Sequence, residues 1–152
     1  MRLTRYTDYA MRVLLHLAAE SDRKASIAAI ADAYGVSHNH LMKVVHKLGK
    51  AGYVESVRGR SGGIRLARPA GEINLGAVLR LTEEGFDLVD CAHCVIAPAC
   101  GLTGVVNEAL AAFLEVFDRR SLADILDRKE GLRAIFDQGR AERRGAAEPV
   151  PL

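Results

Sequence analysis

The stretch Ser26-Ile-Ala-Ala-Ile-Ala-Asp-Ala-Tyr-Gly35-Val-Ser37-His-Asn-His-Leu-Met-Lys43-Val-Val-His-Lys47-Leu-Gly-Lys50 decides the fold. Ser26 is placed to cap a short helix over Ile27–Tyr34, and Gly35 stops it. Ser37 then caps a second helix, from His38 to about Lys50. Two helices joined by a glycine-containing turn, the second opened by a cap, make a helix-turn-helix unit. Leu41, Val44, Val45 and Leu48 recur at helical spacing and form its packing face. His38, Asn39, His40, Lys43, His46 and Lys47 are left facing outward.

Working outward, residues 4–20 form a helix with Tyr6, Ala10, Val13, Leu14 and Leu17 on one face. His16 in that helix is expected to be partly buried and without a special role, and His46 to be a surface residue. Downstream, Ala51-Gly52 ends the second helix of the unit. Residues 53–57 alternate like a strand, and residues 64–67 make a second one. Between them lies Arg58-Gly-Arg60-Ser-Gly-Gly63, a basic, glycine-rich hairpin tip. This two-stranded element is a wing. Asn74 caps a further helix over about residues 75–84, and residues 86–101 form an irregular loop. Residues 103–117 make a long helix whose stripe of Val105, Val106, Ala109, Leu110, Phe113, Leu114 and Phe117 is too wide for a lone exposed helix. It requires the rest of the chain or a second subunit. Ser121 caps a short helix over residues 122–127, and residues 129–152 read as a polar tail, disordered from about Arg140.

The expected fold is therefore mainly α: a winged helix-turn-helix with a two-stranded β wing and a long C-terminal dimerisation helix. Its parts are a DNA-binding domain over residues 1–70, a connecting helix and cysteine-rich loop over 71–101, a dimerisation region over 102–128, and the tail.

Charge points to the partner. The net charge of +2 hides an asymmetry. Residues 37–68 hold seven Lys/Arg (Lys43, Lys47, Lys50, Arg58, Arg60, Arg65, Arg68) against the single acid Glu55. That segment is +6, which leaves −4 for the remainder. A basic patch confined to one module implies a polyanion. The residue types at the start of the second helix fit double-stranded DNA. Ser37, His38, Asn39 and His40 are small or polar, as major-groove entry requires, and Asn pairs bidentately with adenine. Lys43 and Lys47, one turn apart, suit phosphates, which position a protein without reading sequence. Arg58 and Arg60 on the wing suit a minor groove, and Arg2 and Arg5 add phosphate contacts if the first helix lies near the backbone. No Ser/His/Asp or HExxH arrangement is present, and the glycine-rich turn joins two strands rather than opening a helix. Both points argue against an enzyme. A redox enzyme or electron carrier is the rival reading from another class. The N-terminus lacks a signal-peptide apolar stretch, and no apolar run approaches the ~18–20 residues of a membrane span. The expected location is the cytoplasm.

All three cysteines fall within Cys91-Ala-His-Cys-Val-Ile-Ala-Pro-Ala-Cys100. An odd number in one short loop fits a disulfide framework poorly. Three chemistries remain open: an iron–sulphur cluster, a zinc ion, or a metal-free thiol switch. His93, inside the Cys91–Cys94 turn, is cramped as a fourth zinc ligand.

Three segments carry a resemblance: Met1-Arg-Leu-Thr-Arg-Tyr-Thr-Asp-Tyr-Ala10, Val36-Ser-His-Asn-His-Leu-Met-Lys43 and Val57-Arg-Gly-Arg-Ser-Gly-Gly63. With the three-cysteine loop before a long helix, they resemble the iron–sulphur winged-helix, Rrf-type regulators (the IscR, NsrR and RirA kinds) over about residues 1–127. Ser37-His-Asn-His-Leu-Met-Lys43 and Cys94-Val-Ile-Ala-Pro-Ala-Cys100 look most like the nitric-oxide-sensing repressors among them. The resemblance implies a homodimer with crossing long helices on a palindromic operator. It implies an iron–sulphur cluster, 4Fe-4S or 2Fe-2S, held by Cys91, Cys94 and Cys100, with Asp8 from the other subunit as fourth ligand. It implies release of DNA when nitric oxide attacks the cluster, with iron or cluster status as the alternative signal. The two-residue gap between Cys91 and Cys94 is shorter than is usual in the family.

Overall fold

The computed structural model describes residues 2–59, 62–126 and 128–146. Six helices and one hairpin follow in the order α1 (Arg5–Ala19), α2 (Ile27–Tyr34), α3 (His38–Lys50), β1 (Val54–Val57), β2 (Gly63–Leu66), α4 (Leu75–Thr82), α5 (Leu102–Asp118) and α6 (Lys129–Ala146). The winged helix-turn-helix expected from the sequence is the observed architecture.

Local chemistry sets the boundaries. The side chains of Thr4, Ser26 and Asn74 each accept a backbone N–H three residues on, capping α1, α2 and α4. Gly35 ends α2 in the left-handed region at φ 62°, where a side chain would be strained. Antiparallel pairing matches Val54 with Leu66 and Val57 with Gly63. Ala25 adds a bridge to Ile64, its N–H and C=O exchanged at 3.1 and 2.8 Å, which ties the wing to the turn before α2.

The core lies where α1, α2, α3 and the wing converge. Val13, Leu14 and Leu17 of α1 meet Ile30, Leu41, Val44, Leu48, Val54 and Ile64, all buried. Ile73 and Val78, before and in α4, and Leu122 extend it toward the C-terminal half. Burying each such side chain contributes about 1.5–3 kcal/mol. In the first turn of α4, Gly76 lies so close to Asp118 that any Cβ would collide with its carboxylate. Arg80 pairs with the same carboxylate at 2.5 and 2.8 Å and joins α4 to the end of α5.

Two expectations need correction. The segment after Ser121 is a single 3₁₀ turn, Ala123–Ile125, rather than a short α-helix; Ser121 does receive the Asp124 N–H. The polar tail from residue 129 is helical as α6, including residues 140–146; residues 147–152 lie outside the described residues. Composition hid α6 because its partners are distant in sequence. Phe136 is buried against His16 and Tyr34, with ring centroids 4.3 and 6.0 Å away. Arg133 donates to the Ala19 carbonyl near the end of α1 and pairs with Asp22, and Arg140 pairs with Glu20 and Asp137.

Candidate nucleic-acid interface and cysteine loop

The first turn of α3 is presented to solvent. Ser37, His38, Asn39 and His40 are all exposed, and Lys43 follows one turn on. Ser37 occupies the N-cap position and is exposed, yet its hydroxyl makes no capping bond. No acid lies in that turn. The opposite face, Leu41, Val44, Val45 and Leu48, is sunk in the core, which fixes the orientation of the exposed one. Lys47 is half-buried, its Nζ 5.3 Å from the centroid of the Tyr6 ring.

In the wing, Arg58 is exposed and Gly59 adopts φ 114°. Gly62 donates to the Gly59 carbonyl at 2.8 Å, and a Cβ on Gly62 would lie 2.6 Å from the Val57 oxygen. The tip is thus too tight for a side chain there. Arg60 lies outside the described residues.

The basic segment divides into two roles that its charge count does not show. Arg65 pairs with Glu55 at 2.5 Å across the strands. Arg68 bonds the Gly52 and Ala51 carbonyls at 2.9 and 3.4 Å and lies over the Tyr53 ring, bracing the wing on the end of α3. Arg5 is exposed beside Tyr6 at the start of α1. Arg2 instead lines a cleft with Glu83, Phe86, Asp87 and Phe113, at the base of the cysteine loop. Tyr6, whose hydroxyl donates to the Lys43 carbonyl at 3.1 Å, is a contact to α3 that the sequence reading passed over as core.

The cysteine loop descends through successive turns. Cys94 donates to the Cys91 carbonyl, Ala97 to Cys94 and Cys100 to Ala97, at 3.1–3.3 Å. The three thiols are free of disulfides; Cys94 is exposed, while Cys91 and Cys100 are half-buried. Cys91 Sγ stands 3.4 Å from Thr103 Oγ1 in the first turn of α5. His93 points to solvent beside Asp90, 89% exposed. Asp8 sits on α1, its carboxylate held by Arg12 through two 2.9 Å contacts. No group of three or more His, Cys, Asp or Glu converges within one chain among the described residues, so Asp8 and the three thiols are not brought together by this chain alone. The donor chemistry nonetheless fits a thiophilic group: three thiols free of disulfides lie on one loop of repeated turns.

Above this loop, α5 has no buried residue. Val106, Leu110, Phe113, Leu114 and Phe117 are half-covered, and Leu102, Val105 and Val116 are more than half exposed. No helix among the described residues is long and apolar enough to cross a membrane.

Comparison with known proteins agrees with this arrangement. The chain is 51% identical over 142 residues to the HTH-type transcriptional regulator NsrR of Bacillus subtilis, covering 90% of this chain and 97% of that protein. It is 49% identical to the NsrR of Bacillus licheniformis, covering 90% and 99%. Among solved structures, IscR of T. potens superposes with a TM-score of 0.70 at 28% identity, covering 84% of this chain and 88% of that one. Oxidised CymR of Staphylococcus aureus gives 0.71 at 25% identity, covering 84% and 97%. The Rrf2 family, described as iron-dependent transcriptional regulators, matches residues 3–128, and this chain belongs to it.

Proposed function

We propose that the protein is a cytoplasmic, homodimeric repressor that binds a palindromic operator through α3 and the wing and releases it in response to nitric oxide. The observation that carries this reading is the adjacency of three free thiols to a helix with an unfilled apolar stripe. The near-full-length likeness to NsrR proteins supports the choice of signal. Cys91, Cys94 and Cys100 would hold an iron–sulphur cluster, with Asp8 of the partner subunit as the fourth ligand. When bound, such a cluster supplies iron that reacts with nitric oxide.

The chain's own residues give the output. Ser37, His38, Asn39 and His40 read base edges; Lys43, Lys47 and Arg5 hold phosphates, and Arg58 and Arg60 of the wing enter the minor groove. A second copy covering α5 sets the spacing of the two α3 helices to that of the operator half-sites. The loop enters α5 through the Cys91–Thr103 contact, so a change in the loop is transmitted to that joint. A hundredfold fall in DNA affinity needs only about 2.7 kcal/mol of coupling.

The test is operator binding by protein purified without oxygen, before and after nitric oxide. Affinity should fall about a hundredfold, and unchanged affinity sinks the gating. The Cys100→Ser variant should lose both the brown chromophore and operator binding. The family's iron-dependence favours iron status as a second reading. A chelator that releases DNA where nitric oxide does not would select it. A colourless protein would instead point to zinc or a thiol switch.

A further inference from the structure

Tyr6 lies half-buried where the first turn of α1 meets α3. Its ring sits under the Lys47 ammonium at 5.3 Å, and its hydroxyl donates to the Lys43 carbonyl at 3.1 Å. One side chain therefore touches the Lys43 backbone and the Lys47 ammonium. The turn that carries Tyr6 is itself anchored. Thr7 donates to Thr82 at 2.9 Å inside the core, and the N–H and hydroxyl of Thr4 donate to Glu83 at 2.9 and 3.1 Å.

We infer that Tyr6 is a positioning residue for DNA binding: its ring, packed against the core beside α3, presets the Lys47 ammonium for a phosphate. This rests on the DNA-binding reading of α3. A free lysine stem loses rotamer freedom when it grips a phosphate, and an aromatic face that already holds the cation removes part of that loss. An aromatic face also does what a carboxylate cannot. It orders the cation without cancelling its charge, and the ammonium keeps N–H donors for a phosphate oxygen.

Because a phosphate contact carries no sequence information, a mixed-sequence duplex at low salt is the probe, with full-length protein purified without oxygen. Tyr6→Leu should bind about fivefold more weakly than wild type, and Tyr6→Phe, which keeps the ring, within about twofold. In a Lys47→Ala background, Tyr6→Leu should add less than about twofold. Independently of any Tyr6 variant, the Lys47 ε-methylene protons of the DNA-free protein should show an upfield ring-current shift by NMR. A Tyr6→Phe protein as weak as Tyr6→Leu, an equal Tyr6→Leu loss in both backgrounds, or an unshifted Lys47 methylene each overturns the inference. Wild-type protein that ignores the duplex overturns the DNA-binding reading of α3 and this inference together.

Discussion

Asn39 and Lys43 sit four residues apart on α3, both exposed, yet they belong to different kinds of contact. An amide reads a base edge; an ammonium on a flexible stem neutralises a phosphate. Asn39→Ala should therefore cost about 1–3 kcal/mol on the operator and relax preference at one base pair. Lys43→Ala should weaken operator and scrambled duplexes alike and reduce the slope of log affinity against log salt by about one. Fluorescence anisotropy across a salt series on both duplexes separates the two, and an equal Asn39→Ala loss on both removes Asn39 from base readout. Arg65 and Arg68 show why a charge count overstates the interface. A cation whose N–H donors are spent on a carboxylate or on carbonyls offers fewer of them to DNA, and these two are engaged in that way by Glu55 and by the carbonyls at the end of α3.

α6 is the element whose existence depended on contacts the sequence could not display. Its apolar stripe is narrow and its charges many, so it resembles a solvated segment until Phe136 meets His16 and Tyr34, and Arg133 and Arg140 meet the end of α1. Phe136→Ala should lower unfolding stability by about 3 kcal/mol in a denaturant titration; a loss no larger than about 0.5 kcal/mol would mean that α6 is not docked. Beneath it, His16 is 3% exposed and its Nδ1 has no hydrogen-bond partner among the described residues. Burial away from water depresses its pKa, and Arg140 adds to this while Glu20 opposes it. With the folded pKa below the ordinary value of about 6.5, the unfolded chain binds the extra proton first. Stability is thus complete above about pH 6.5 and falls as the pH drops from there toward the folded pKa. Melting temperature against pH should show this fall, and His16→Gln should flatten it. The carboxylates of Glu83 and Asp137 also have lowered pKa values, so their contribution is lost only in the more acidic carboxylate range.

At the scale of the molecule, α5 presents an apolar face that one chain leaves uncovered. Val105 is 64% exposed, so Val105→Glu should be nearly neutral for the fold of a single chain, within about 0.5 kcal/mol. In a dimer it would bury an unpaired charge. Sedimentation velocity should show dimer for the wild type and monomer for the variant, and operator affinity should fall with it because a palindrome engages two α3 helices at once. A variant that stays dimeric places the joint elsewhere.

The winged helix-turn-helix was legible because its signals are local. Caps at Ser26 and Asn74, the left-handed Gly35, the glycine-rich wing tip and the periodicity of α1 and α3 each act within a few residues. The exposed reading face of α3 follows from that periodicity, since burying Leu41, Val44, Val45 and Leu48 turns Asn39 and Lys43 outward. The three thiols were equally plain, as a composition anomaly. What tertiary structure alone decided is pairing over long separations: Tyr6 with Lys43 and Lys47, Arg68 with the base of the wing, and Phe136 with His16 across 120 residues. Periodicity specifies that a face is apolar or charged. Which distant group meets that face depends on how the helices cross, and that is settled only when the core is packed.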